Sequence, residues 1–317
     1  MEREGEPVPY QMEGEPVSRQ TEQSEQRESK DRGANVDIRN FWIRHAQKKS
    51  GEVTSAGGSA ISTSSISESG AEGAKDYGTA ISAYRDGTKG YRSDSARTGE
   101  TLEGIIAGYQ KANPDKPVRS KSVREALSVD MPEGFLTLYD QKFQEQKDKI
   151  LESNGLSQDS FAGLTPDKQE EIAEAAEEPV IKEWLGDPNS ELARLYPPAE
   201  VASRFAHLFS RRHERMARWL YSGSEIDLIH VTHKCITEPF LVSGVLIRKS
   251  DGVRITDLEQ LSGSLATLGD WRSEVITDGG KNARIVVRIR GEEYEIDRSV
   301  LNKLTGKAEK SQAEESN

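Results

Sequence analysis

The chain has little cysteine and no long apolar run. Cys235 is the single cysteine among 317 residues, so an internal disulfide is excluded and cysteine usage gives no sign of an oxidising compartment. No apolar run approaches the roughly 20 residues that a membrane-spanning helix needs. The first residues also lack the basic-then-apolar pattern of a secretory signal. We therefore expect a cytoplasmic protein with no membrane partner.

An excess of positive charge is also missing. Asp and Glu number 54 against 43 Lys and Arg, which gives a net charge of −11. A nucleic-acid partner that binds through a broad basic surface is therefore disfavoured, because such binding depends on neutralising phosphates. A local basic pocket is still compatible with this charge.

The two ends of the chain have too few apolar residues to form a core. Residues 1–36 contain one aromatic residue, Tyr10, and a short tandem repeat in which Glu-Gly-Glu-Pro-Val occurs twice. Such segments cannot bury enough apolar surface to offset their ordering entropy. We expect disordered tails over 1–36 and 306–317, the first of them a possible site for a protein partner, and one domain over 37–305.

Short apolar segments alternate with helical patterns within that domain. Strands are predicted at Asn40–Ile43, Lys89–Ser93, Pro117–Val123 and Glu225–Thr232, and a hairpin at Ala283–Arg290 and Glu293–Asp297. The Gly, Ser and Thr of Ser50–Ser65 predict a loop. Strands that alternate with helices favour an α/β fold with a mainly parallel sheet covered by helices on both faces, and the hairpin predicts an antiparallel edge.

Helices are predicted between and after these strands. They begin at the capping residue Ser67 and cover Arg97–Ala112, residues 137–152, an acidic segment that begins at Thr165-Pro166 and is interrupted by Pro179, Ala199–Tyr221, and a segment from about Thr237. Residues 137–198 form an insertion between the third strand and the long helix. We expect this insertion to be a helical cap.

Basic side chains follow three of the strands. Arg44-His45 ends the first strand, Arg97 lies just past the second, and His233 ends the Glu225–Thr232 strand. In parallel sheets, ligands bind beyond the carboxyl ends of the strands. The sequence therefore predicts a basic site at this edge of the sheet. Arginine suits a phosphoryl group, because its fork binds two oxygens, and a neutral imidazole can act as a nucleophile.

The motifs around these residues resemble the histidine phosphatase superfamily, which has the phosphoglycerate-mutase-like fold. The resemblance covers four ordered segments between residues 41 and 240. They are Ile43-Arg44-His45-Ala46, the helix start at Ile66–Gly70, Ser93 and Thr101 each four residues from Arg97, and Val231-Thr232-His233. The resemblance implies a three-layer sandwich and phosphoryl transfer without a metal or an organic cofactor.

The resemblance also implies roles for these residues. His45 would be phosphorylated, and Arg44, Arg97 and His233 would line the phosphate pocket. Gln47 and Ser93 stand where the family often places supporting polar groups. They fit equally well as an ordinary loop residue and a strand-end cap.

The general acid is the least defined part of the expected site. One branch of the superfamily places an acidic residue directly after the second histidine, where this chain has Lys234. Another branch uses a glutamate just after the third strand. Glu125 is the best positional match to it, and Asp130 and Glu133 are close rivals.

The remaining histidines fit ordinary structural roles. His230 lies inside a strand, which is typical of a core histidine, and its spacing from His233 does not support a zinc site. His207 and His213 lie among arginines on the long helix, which predicts a solvated basic face.

We therefore expect a phosphomonoester hydrolase that acts on a phosphorylated small molecule or phosphoprotein. Two alternatives are open. One is a mutase that moves phosphate between hydroxyls of one substrate, although the flanking signatures of sugar-phosphate mutases are absent around Glu125. The other is a phosphate-binding or scaffold protein that has lost the acid.

Overall fold

The computed structural model describes residues 31–47, 65–128, 130–266, 268–278 and 283–306. Most of the expected N-terminal tail and of the expected 50–65 loop lies outside these residues. So do Lys48, Lys49 and the C-terminal segment from residue 307.

One mixed sheet of eight strands forms the centre of the fold. Its order is β3-β2-β4-β1-β6-β7-β8-β5. The strands are β1 Asp37–Arg44, β2 Thr88–Arg92, β3 Val118–Val123, β4 Glu225–Thr232, β5 Leu246–Arg248, β6 Asp270–Thr277, β7 Ala283–Ile289 and β8 Glu292–Ile296. The first four strands of this order pair in parallel, and every later pairing is antiparallel. The expected α/β fold, with parallel strands and an antiparallel C-terminal part, is confirmed, and the parallel strands form one half of the sheet. The strands β5 and β6 were not predicted.

Helices pack on both faces of this sheet. They are α1 Glu68–Thr79, α2 Ala96–Ala112, α3 Glu133–Ser153, α4 Gln158–Ala162, α5 Pro166–Gly186, α6 Glu191–Leu195, α7 Pro198–Ser210, α8 Met216–Trp219, α9 Lys234–Leu241 and α10 Arg298–Leu304. Among the described residues, no helix is both long and apolar enough to span a membrane.

The central strand β1 is apolar on both sides, because helices cover both faces. Ile38 and Trp42 face one apolar cluster, which includes Phe205 on α7. Phe41 and Ile43 face the other cluster, which is built mainly from α2. This burial on both sides explains why β1 reads as a continuous apolar run rather than an alternating one.

Three details of the sequence prediction need correction. Helix α5 continues through Pro179 to Gly186, because its buried face, which includes Ile172 and Trp184, extends beyond the proline. The long helix becomes a π-helix over Arg211–Arg215, between α7 and α8. Residues 31–36 are part of the folded domain, and Val36 is fully buried.

Helices α1 and α2 approach each other closely at two glycines. A Cβ atom added to Gly78 would lie 1.9 Å from the Ile105 carbonyl oxygen, and one added to Gly108 would lie 1.9 Å from the Lys75 carbonyl oxygen. Neither backbone oxygen can move without shifting its helix. The packing of α1 on α2 therefore requires glycine at both positions.

Gly108→Ala is expected to lower the free energy of unfolding by about 2–3 kcal/mol, because the added methyl group forces the two helices apart. Gly186→Ala is the matched control. No atom lies within 4 Å of its added Cβ, so it should be neutral or slightly stabilising. Urea unfolding curves of both variants measure the difference. Equal stability of Gly108→Ala and the wild type would contradict the close approach.

Candidate active site at the carboxyl ends of β1, β2 and β4

The parallel register places the two motif histidines side by side. Arg44 pairs with Thr232 at the ends of β1 and β4, so the next residues, His45 and His233, leave the sheet together. The His45 backbone N–H donates to the Thr232 carbonyl at 3.0 Å. The two imidazole rings are 5.1 Å apart between centroids.

The His45 ring is held in one orientation and one neutral form. Its Nδ1 lies 2.9 Å from the Ala46 carbonyl oxygen. A carbonyl can only accept, so Nδ1 carries the proton and Nε2 has a free lone pair. Burial, and then electrostatic interactions with Arg97, His233 and Arg44, hold the pKa of His45 well below its usual value. His45 is therefore a neutral imidazole with a nucleophilic Nε2 at physiological pH.

A cluster of hydroxyl groups orients His233. Its Nε2 lies 3.1 Å from the Ser93 hydroxyl and 3.4 Å from the Ser95 hydroxyl. The Ser93 hydroxyl also lies 2.7 Å from that of Thr98. Burial and the positive charges of Arg97 and Arg44 keep the pKa of His233 well below its usual value. In this structure Ser93 is bonded to His233, so it positions that ring.

The Arg97-to-Thr101 spacing has a structural reason. The Thr101 hydroxyl donates to the Arg97 carbonyl at 2.7 Å and accepts the Ala46 backbone N–H at 2.9 Å. The first turn of α2 is therefore tied to the residue that follows His45. This bond fixes Arg97, which is on the same turn, relative to the His45 ring.

Arg97 is buried without a counterion. Its side chain is only 7% exposed, and its Nε has no hydrogen-bond partner. No ion pair of Arg97 occurs among the described residues. Burial, and then the positive charge of Arg44, lower the pKa of Arg97. A buried guanidinium without a carboxylate partner beside a nucleophilic imidazole suits an anionic ligand.

Arg44 differs from Arg97, because carboxylates of α5 already bind it. Its Nη1 donates to Glu174 Oε1 at 2.7 Å and to the Leu265 carbonyl at 3.0 Å. Its Nη2 is 3.5 Å from Glu177 Oε2. Both glutamates lie on α5. The sequence pattern showed α5 only as an acidic helix and did not indicate this contact.

Glu177 is shared by several partners. Its Oε2 accepts from Lys234 Nζ at 2.8 Å, and its Oε1 accepts from the Tyr139 hydroxyl at 2.8 Å. Burial opposes ionisation of Glu177, but Lys234 and then Arg44 outweigh it and lower its pKa to about 2. Lys234, which is itself buried, therefore has a carboxylate partner, and this explains how a lysine is accommodated directly after His233.

A third carboxyl group, Glu238, supports Arg44 through the backbone. Its Oε1 accepts the Leu265 N–H at 2.8 Å, and the Leu265 carbonyl accepts from Arg44. Its Oε2 has no hydrogen-bond partner, and burial raises the pKa of Glu238 to about 7. Only the tertiary structure brings Glu238 to this position.

The remaining expected site residues are Gln47 and the three candidate acids, and none of them contacts His45 or His233 in the hydrogen bonds of the described residues. The Gln47 amide accepts from Ser69 at 2.7 Å and donates to the Pro166 carbonyl at 3.1 Å, so it links α1 to the start of α5. Glu125, Asp130 and Glu133 are exposed near the turn between β3 and α3.

The other histidines have structural environments. His230 is fully buried between Trp42 and Tyr91, as expected for a core histidine. The predicted solvated basic face is wrong at two positions. His213 is fully buried, with Nε2 2.6 Å from the Ser273 hydroxyl, and Arg212 is 9% exposed. The π-helical turn carries both of them toward the sheet, whereas His207 is exposed.

The described part of the chain contains no group of three or more His, Cys, Asp or Glu side chains that could hold a metal ion. The cations that face the site are side chains of Arg97, Arg44 and Lys234. Cations beside neutral imidazoles can bind an anion next to a nucleophilic ring nitrogen.

Glu177→Gln is expected to lower the free energy of unfolding at neutral pH by roughly 3 kcal/mol, because it removes the carboxylate that buried Lys234 binds. The folded pKa of about 2 lies below the ordinary 4.5. The wild-type advantage is therefore complete above about pH 4.5 and is lost as the pH falls toward about 2. Urea unfolding of both proteins at neutral pH and at about pH 3 measures it.

Glu171→Gln is the control for this measurement. Glu171 is on the same helix, but its pair with Lys168 is exposed on both sides. Its loss should change stability by less than about 1 kcal/mol at either pH. If the wild type became more stable relative to Glu177→Gln as the pH fell, the assigned ion pair would be contradicted.

Comparisons with known proteins give matches only among solved structures. No protein-family model and no curated protein matches this chain. It is similar to phosphoglycerate mutase from Bacillus anthracis, with 16% identity, a TM-score of 0.37 and coverage of 87% of this chain and 98% of that one. It is also similar to mycobacterial glucosyl-3-phosphoglycerate phosphatase, with 12% identity, a TM-score of 0.41 and coverage of 80% and 98%. For phosphoserine phosphatase from Entamoeba histolytica the identity is 12%, the TM-score 0.40 and the coverage 83% and 99%.

By name, one of these neighbours is a phosphoglycerate mutase and two are phosphatases. What the site of this chain can do chemically follows from its own residues.

Proposed function

We propose that this chain is a phosphomonoester hydrolase that works through a phosphohistidine on His45. The observation that carries the proposal is the pairing of two features. His45 presents Nε2 as a free nucleophile, and the buried guanidinium of Arg97 has no counterion beside it. An anionic phosphoryl group would satisfy Arg97 while it meets the nucleophile.

The proposed reaction has two steps. In the first, the lone pair of His45 Nε2 attacks phosphorus, the bond from phosphorus to the ester oxygen breaks, and that oxygen takes a proton from an acid. In the second, a water molecule attacks the phosphohistidine and loses a proton to the conjugate base. The phosphorus–nitrogen bond then breaks, and inorganic phosphate and neutral His45 are released.

Positive charge around the phosphoryl group is the main contribution of the other residues. Arg97 and Arg44 would neutralise the phosphoryl oxygens, and neutral His233 would donate a hydrogen bond to one of them. The N-terminal turn of the 17-residue helix α2 lies at the same edge, and the partial positive charge of its helix dipole would also favour an anion there. No step of this reaction requires a metal or an organic cofactor.

The substrate is proposed as a phosphorylated small molecule or phosphoprotein in the cytoplasm. A mutase reaction would use the same phosphohistidine but would return the phosphoryl group to a hydroxyl of the substrate. A scaffold protein would bind phosphate and form no phosphohistidine. Trapping of the intermediate separates the scaffold from both enzymes, and release of inorganic phosphate separates the hydrolase from the mutase.

His45→Ala is expected to reduce turnover of an aryl phosphate to background, while the variant stays folded by circular dichroism. His207→Ala, at an exposed histidine on α7, should retain wild-type activity. Acid-free quenching of the wild type followed by mass spectrometry should place the phosphoryl group on His45. A phosphoryl group trapped on His233 or on a serine would overturn the mechanism.

Glu125 is proposed as the acid, on the basis of its position after β3. Glu125→Gln should slow cleavage of an alkyl phosphate by about 10²–10⁴-fold but leave an aryl phosphate nearly unchanged, because a phenolate leaves without a proton. Asp130→Asn and Glu133→Gln are the parallel variants. Selective loss in one of these would move the acid to that residue, and equal loss on both substrates would assign a positioning role to Glu125.

A further inference from the structure

The two arginines that face the site differ in whether a carboxylate binds them. Arg97 has no carboxylate partner, whereas both terminal nitrogens of Arg44 are directed at carboxylates of α5. A guanidinium that binds a phosphoryl group with its fork needs those same nitrogens. Arg44 therefore cannot bind phosphate with both nitrogens while Glu174 and Glu177 occupy them.

Both carboxylates come from the cap rather than from the sheet. Glu174 and Glu177 are three residues apart on α5, so they lie on the same face of that helix. Their side chains are 30% and 25% exposed, respectively, which leaves each in contact with solvent at the rim of the site. They can therefore leave Arg44 without carrying a charge through the core.

We propose that Glu174 and Glu177 form a carboxylate latch, an internal competitor that occupies Arg44 until a phosphoryl group displaces it. The proposal rests on the proposed function, because it takes phosphate as the competing anion. A dianionic phosphoryl group on Arg97 would also repel both carboxylates of the latch, so binding at Arg97 favours opening.

Opening of the latch also frees Lys234, the third cation that faces the site, from its carboxylate partner. Lys234 Nζ binds the same Glu177 oxygen that faces Arg44. When Glu177 leaves, the Lys234 ammonium loses its partner beside Arg44 and binds the incoming anion or its leaving group. The lysine that follows His233 thereby becomes a phosphate-binding residue of the open state.

Anion competition, rather than mild acid, would open the latch. Glu177 is held ionised by Lys234 and Arg44, with a pKa of about 2. Its charge is therefore constant over the physiological pH range. A high concentration of phosphate is the expected trigger.

The test is the affinity of the full chain for inorganic phosphate, measured by isothermal titration calorimetry. Glu174→Gln and Glu177→Gln should each bind phosphate about tenfold more tightly than the wild type, since each removes one charged competitor. Glu171→Gln and Glu183→Gln are matched controls on the same helix. Their carboxylates pair with Lys168 and Lys142, so phosphate affinity should not change.

The expected result separates a latch from a merely structural role. Glu177→Gln is expected to be less stable than the wild type, and a damaged fold would bind phosphate more weakly. Tighter binding in a less stable protein supports the latch. Glu174→Gln keeps the test decisive if Glu177→Gln does not fold, because Glu174 does not hold Lys234 in the described contacts.

Unchanged or weaker phosphate binding in the Glu174→Gln protein would overturn the latch, as would the absence of phosphate binding in every variant. Turnover of an aryl phosphate is measured in parallel. If the variants turn over the aryl phosphate but bind inorganic phosphate as the wild type does, the latch is contradicted and the proposed hydrolase activity is supported. Tighter binding without turnover in any variant supports the latch and overturns the hydrolase.

Discussion

The parallel pairing of β1 with β4 is the constraint on which the site depends. Because Arg44 lies opposite Thr232, the two residues that follow the strands are both histidines, and they emerge at one height. A slip of one residue in this register would turn every β1 side chain to the other face and separate the rings. The apolar clusters on both sides of β1 prevent that slip, so the packing of the core also fixes the relative position of the His45 and His233 rings.

The buried cations of the site differ in whether a carboxylate neutralises them. Arg44, Lys234 and Arg97 are buried at this edge, and carboxylates of α5 pair with the first two, whereas Arg97 has no such partner among the described residues. A buried charge without a partner is costly, so its retention is a physical argument for an anionic ligand at that position. The same reasoning explains the low pKa of His45, since burial and neighbouring positive charge both favour the neutral ring. Helix α5 thus offsets part of this positive charge by contributing Glu174 and Glu177, and in the proposed latch these are the groups that a phosphoryl ligand displaces from Arg44.

Several parts of the site follow from local chemistry that can be seen in the sequence. A strand that ends at Arg44-His45 and a threonine four residues after Arg97 are short-range features. The Arg97–Thr101 spacing corresponds to one turn of α2, so the Thr101 hydroxyl can donate a hydrogen bond to the Arg97 backbone carbonyl. By contrast, the basic residues near His213 read as a solvated face, because an uninterrupted helical period was assumed. The π-helical turn shifts that period and places His213 against Ser273.

The amino-acid sequence was sufficient to predict the order along the chain of the strands and helices that form the parallel half of the sheet, the positions of both motif histidines and arginines, and a covering of helices. Local propensity, apolar period and motif spacing are sufficient for these. Which cations are paired and which is not depends on the tertiary structure. Glu174 and Glu177 are about 130 residues from Arg44 along the chain. Their contact with Arg44 depends on how α5 lies across the edge of the sheet, and no local sequence pattern specifies that orientation. Glu238 and Leu265 show the same limit, because a loop contact gives them their place behind Arg44.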